Sequence, residues 1–167
     1  ALTLPGLHPR IARAMASQAR IALALLAGLA AAACDEHKYE TYVAELDGAL
    51  EGVSTSARGR AILLVSRGGE RAEITLSVSG FRSTITGSYV RRAPRGQTGP
   101  PVCTLWLPGQ GALDDANPIL RVWEDAASGA VAFDDSMLRA LREANLYVNV
   151  QTQQRPSGEV RGQLLPE

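Results

Sequence analysis

Histidine, cysteine and lysine are nearly missing from this chain. Two cysteines and two histidines occur in 167 residues, and Lys38 is the one lysine. Both histidines, His8 and His37, lie before residue 40. Everything downstream is therefore without a Cys/His cluster at zinc spacing, and it lacks a Ser-His-Asp or Cys-His set for nucleophilic catalysis. Phosphate loops and dinucleotide fingerprints are also absent. A concentrated basic face is missing too. Residues 1–33 carry three Arg and no acid, leaving 14 basic and 17 acidic residues from Cys34 onward, a balance that excludes nucleic acid as a partner. The longest apolar run, Ile21 to Ala33, has 13 residues against the roughly 20 that a spanning helix needs.

That short run has its own grammar. Arg20 supplies a positive flank, the apolar run follows, and Ala31-Ala32-Ala33 offers a small-residue cleavage site, as in a secretory signal. A start at Met15 gives a compact bacterial signal, with residues 1–14 as an upstream extension. Cys34 directly after the alanines resembles the lipobox of bacterial lipoproteins, although that family prefers Leu at the position of Ala31. The resemblance implies diacylglycerol on the Cys34 thiol and membrane attachment through it. Asp35 matches a position that resembles an inner-membrane retention signal. Ordinary cleavage leaves Cys34 as a plain thiol and the protein periplasmic or secreted. The fate of Cys103, inside VCTLWL, follows from this: a small buried hydrophobe if Cys34 is acylated, a disulfide partner if it is not.

Beyond a polar lead-in at 34–40, residues 41–167 form one domain patterned for strands. Thr41 to Leu46 is a first candidate, and Arg60 to Arg67 is apolar enough for a strand covered on both faces. A Gly68-Gly69 turn joins it to RAEITLSVSG, where Ile74, Leu76 and Val78 alternate with Glu73, Thr75, Ser77 and Ser79. STITGSYV, VCTLWL and ILRVWED are further strands, with Trp106 and Trp123 expected in the core. One short helix runs from an Asp134-Asp135-Ser136 cap to Ala144. Loops rich in Gly and Pro occupy 91–101 and 108–118. This pattern defines an all-β fold, an antiparallel sandwich or barrel with one short helix.

The closing stretch YVNVQTQQRPSGEVRGQL reads as a hairpin. Leu146, Val148 and Val150 share one face with Val160, Gly162 and Leu164 after the turn; Tyr147, Asn149, Gln151, Glu159, Arg161 and Gln163 form the opposite, polar row. A surface ion pair between Glu159 and Arg161, or across the hairpin, is expected. The motif, marked by Tyr147, Asn149, Gln151, Gly158, Glu159, Arg161, Gly162 and Gln163, closely resembles the end of the CHRD domain, named for chordin. ELDGALEGVSTSARGRAILLV and GQTGPPV are similar to its opening and central loop. The resemblance spans roughly Tyr42 to Leu164 and implies an immunoglobulin-like sandwich or barrel with distant similarity to copper/zinc superoxide dismutases. It also implies a lineage that includes the antagonist chordin and many exported bacterial proteins.

Members of that family often carry a His-x-His pair before the central loop and a histidine in the VNVHT strand. Here the first region reads Ser88-Tyr89-Val90-Arg91-Arg92 and the second has Gln151. A carboxamide is a weak ligand beside imidazole and arginine repels a cation, so no metal, cofactor or catalytic residue is assigned. Asp114-Asp115 and Asp134-Asp135 lack calcium-loop spacing and are read as turn and cap residues. The reading is an exported, lipid-anchored, non-catalytic envelope module with an unidentified protein or glycan ligand. One alternative is a degenerate metal-binding or redox β-barrel protein. Another is an anion- or glycan-binding surface that uses Arg91, Arg92 and Arg95.

Overall fold

The computed structural model describes residues 39–123 and 131–167. The signal segment, Cys34, the lead-in with His37 and Lys38, and Glu124-Asp125 of the sixth predicted strand lie outside the described residues. Nine strands and one helix make up the rest: β1 (Tyr39–Leu46), β2 (Arg58–Ser66), β3 (Ala72–Ser79), β4 (Ile85–Arg92), β5 (Pro101–Trp106), β6 (Ile119–Trp123), α1 (Asp135–Arg142), β7 (Leu146–Thr152), β8 (Val160–Gln163) and β9 (Leu165–Pro166). They form two antiparallel sheets, ordered β6-β3-β2-β1-β9 and β5-β4-β7-β8. The expected two-sheet architecture is the observed one.

Alternation builds the core. In β3, Ala72, Ile74, Leu76 and Val78 are buried while Glu73, Thr75 and Ser77 are half-buried. β2 corrects the expectation of a strand covered on both faces. Ala61, Leu63 and Val65 are buried, but Ile62 and Leu64 are half-buried on an uncovered face. Its apolar run thus covers a half-exposed surface as well as the core, with β-branched preference accounting for Ile62 but not for Leu64. Val90, Leu105, Val148 and Val150 close the core from the second sheet. Trp123 meets Phe133 edge-on at 4.9 Å, and its indole N–H donates to Val131 O at 2.7 Å. Trp106 is buried as well.

Helix α1 starts where Asp134 accepts from the backbone N–H groups of Ser136 and Met137, which satisfies two of its orphan donors. It buries Met137, Leu138, Ala140 and Leu141 against the sandwich. The helix stops at Arg142, two residues before the predicted end, because Ala144 turns to φ 55°. The loop at 91–101 is shorter than the sequence suggests, since β4 runs on to Arg92 and β5 begins at Pro101, whereas 108–118 lies wholly between β5 and β6.

Both sides of the sandwich are tied. On one, the chain leaves β8, buries Leu164 completely, and enters the other sheet as β9 beside β1. The backbones of Asp47 and Arg161 exchange N–H···O bonds of 3.2 and 2.8 Å across the same seam. Gly162 allows this approach, because a Cβ there would run into the Glu45 carbonyl. On the other side, Arg121 Nε reaches from β6 to Leu105 O in β5 at 2.7 Å.

Candidate functional site

The closing hairpin, β7 and β8, carries the polar row. The sequence places that row opposite the apolar one, and the structure agrees, but the row is not a solvated surface. Tyr147, Asn149, Glu159, Arg161 and Gln163 are all buried, and Gln151 is half-buried. The covering comes from far away in the chain. A 3₁₀ turn at Ala49–Glu51, the 53–55 segment and the 93–99 loop fold over it.

Each side chain then meets a specific partner. Glu159 accepts from Thr55 Oγ1 and Thr152 Oγ1, both at 2.8 Å. Asn149 Nδ2 donates to Glu51 Oε1 at 3.0 Å. Gln163 Nε2 donates to Ala144 O at 2.6 Å and Ala93 O at 3.2 Å. The expected Glu159–Arg161 ion pair does not form. With Glu159 held by two hydroxyls, the Arg161 guanidinium lies 3.5 Å from the Tyr147 ring centroid. A desolvated stack of this kind contributes about 2 kcal/mol. Tyr147 is fixed in turn by Gly99 N–H, which donates to its hydroxyl oxygen at 3.1 Å.

Two clefts open beside this network. One, of about 330 Å³, is lined by Thr55, Arg82, Gln154, Arg155 and Glu159. The other, of about 450 Å³, lies between the β8–β9 crossover and the 49–50 turn, with Arg161 and Gln163 in its floor and Arg95 at its edge. Two buried polar atoms in that floor, Arg161 Nε and Gln163 Oε1, have no hydrogen-bond partner.

The three arginines proposed as an anion site do not converge. Arg91 and Arg92 belong to β4 rather than to the loop, and successive residues of a strand point to opposite faces. Arg91 donates to Gly99 O at 3.0 Å and lies over Tyr89 at 5.6 Å, whereas Arg92 donates to Ser136 Oγ at 3.0 Å. Only Arg95 remains on the loop, exposed. Arg161 stands at the same cleft as Arg95, and sequence reasoning missed it as a ligand group. Its spacing marks it as part of the polar row but gives no sign of the cleft.

The positions where histidines were expected from the resemblance do come together. Tyr89 pairs with Asn149 and Gly87 with Gln151 across β4 and β7, so Tyr89, Arg91 and Gln151 share one face. A phenol, a guanidinium and a carboxamide there do not fit a transition metal, because the guanidinium repels it and no imidazole is present. Among the described residues, no group of three or more His, Cys, Asp or Glu is arranged to hold a metal ion. Cys103 is buried and free, and burial pushes its thiol up to about 11. Asp114 turns inward on its own loop, accepting from Asn117 N and Nδ2. No helix among the described residues is long and apolar enough to cross a membrane.

With the sandwich, its crossover and the buried polar row established, sequence comparison adds the lineage. The profile of the CHRD domain matches residues 42–164, and the chain belongs to that family. Comparison with curated proteins and with solved structures returns no match.

Proposed function

We propose that this protein is an exported CHRD-domain module, anchored to a bacterial membrane by lipid on Cys34, that binds a ligand without transforming it. One observation carries the reading. The polar motif residues of the closing hairpin are covered, and Glu51, Thr55, Thr152 and the 93–99 loop occupy them as structural partners. Residues used this way hold a scaffold rigid, and a rigid scaffold with small clefts suits recognition. The basic flank, short apolar run and small-residue site before Cys34 support the anchor.

The test is the intact mass of the mature N-terminus from a membrane fraction. A diacylglycerol adduct on Cys34, with release of the protein to the soluble fraction on Cys34→Ala, is the expected result. An unmodified, soluble mature form overturns the anchor and reopens a Cys34–Cys103 disulfide.

A further inference from the structure

The cleft of about 450 Å³ at the β8–β9 crossover combines features that the scaffold role leaves unexplained. Arg161 is 2 % exposed, yet its charge meets no carboxylate within ion-pair distance among the described residues. Its Nε has no acceptor, and its Nη2 reaches only Pro94 O at 3.5 Å. A buried cation is retained at a cost unless an anion or a set of acceptors meets it. Tyr147 holds the guanidinium 3.5 Å from its ring centroid, so the cation is fixed in place in the lining of the cleft. Gln163 Oε1 beside it is an unused acceptor. Arg95 stands at the edge of the same cleft on an exposed turn closed by Gln97 N–H to Pro94 O.

The remaining walls select the rest of the ligand. Val43, Leu50, Leu165 and Pro166 give an apolar surface. Two acids also line the cleft, and each is engaged: Glu45 faces Arg60 at 3.4 Å, and Asp47 Oδ1 accepts from Ala49 N at 2.8 Å. Their field disfavours a dianion while leaving one charge accommodated by two arginines. We propose that this cleft binds a small amphiphilic carboxylate, its head on Arg161 and Arg95 and its apolar body against Val43, Leu50, Leu165 and Pro166. The volume is that of a small-molecule site. The assignment rests on reading the domain as a binding module and is independent of the anchor.

The full chain, ¹⁵N-labelled at arginine and held in a zwitterionic lipid nanodisc, is titrated with hexanoate, hexanol and inorganic phosphate while the arginine Nε–H signals are followed. Hexanoate should shift the Arg161 and Arg95 signals saturably, and Arg95→Gln should weaken it by about fivefold. Arg95 is exposed, so this variant tests the site without disturbing the core. Hexanol partitions into lipid more readily than hexanoate, so shifts that follow hexanol equally well overturn the proposal. So does a hexanoate titration unchanged by Arg95→Gln, and so does phosphate binding as tightly as hexanoate. Failure here leaves the mass of the N-terminus, and hence the anchor, unaffected.

Discussion

At Gly158 the backbone takes φ +149°, and a Cβ would collide with Asn149 Nδ2 and the Glu51 carboxylate. Two penalties therefore fall on one residue: a conformation open mainly to glycine, and overpacking of a partly buried hydrogen-bonded pair. Gly158→Ala should lower stability by about 3 kcal/mol, seen as a reduced midpoint in urea unfolding. Cys103 leads to a different expectation. With its thiol held up to about 11, little thiolate exists near neutrality. Maleimide should label it slowly in the native protein and rapidly in denaturant; equal rates would contradict its burial. The sequence displayed the identity of every polar motif residue but not its burial. Period two assigns a side chain to a face and is silent about what covers that face. The cover comes from Glu51, 98 residues from Asn149, and from Pro94, 67 residues from Arg161.

Among the elements, strands with clean alternation were the most legible, as β3 and β7 show, and Asp134 announced the start of α1. The end of α1 carried no such signal. Ala144 turns left-handed where glycine is the usual choice, and its carbonyl is held by Gln163 Nε2 at 2.6 Å. A side chain costs about 1–2 kcal/mol in that conformation. Ala144→Gly should therefore raise stability by about 1 kcal/mol after the added freedom of the unfolded chain is counted, measurable by thermal unfolding. β9 escaped notice for a simpler reason. Two residues, one of them proline, form no pattern, and their pairing with Tyr42 and Val43 depends on the crossover at Leu164.

Across the whole molecule, the first strand and the helix are joined by Arg142 Nη2 to Glu40 Oε1 at 2.7 Å, two residues 102 apart in the chain. That hydrogen bond is the largest influence on Glu40, and its carboxyl is held below the usual range. A carboxyl depressed on folding stabilises the protein above its unfolded pKa, and the contribution is lost as pH falls through the folded value. Glu40→Gln should thus lower the melting temperature slightly near neutrality, the pair being partly exposed. The difference from the wild type should shrink as pH falls below the ordinary carboxylate range, as the Glu40 carboxylate is protonated. An unchanged difference in acid would place the origin of the effect elsewhere. The sandwich class followed from strand number and turn spacing. The tying of its two sides did not, because both ties join residues remote in sequence: Asp47 with Arg161, and Arg121 with Leu105.

The crossover has a last consequence, for how other chains can attach. Glu167 N–H points to Thr41 O, so the alternate amides of this final segment face outward. They belong to Leu164, already bonded to Leu146 O, and to Pro166, which has no amide hydrogen. A visiting peptide that sought to extend this sheet by β-augmentation would find no donor along the rim. Such a rim offers an incoming strand acceptors only, so backbone pairing there is weakened and polymerisation by edge stacking is disfavoured at the same place.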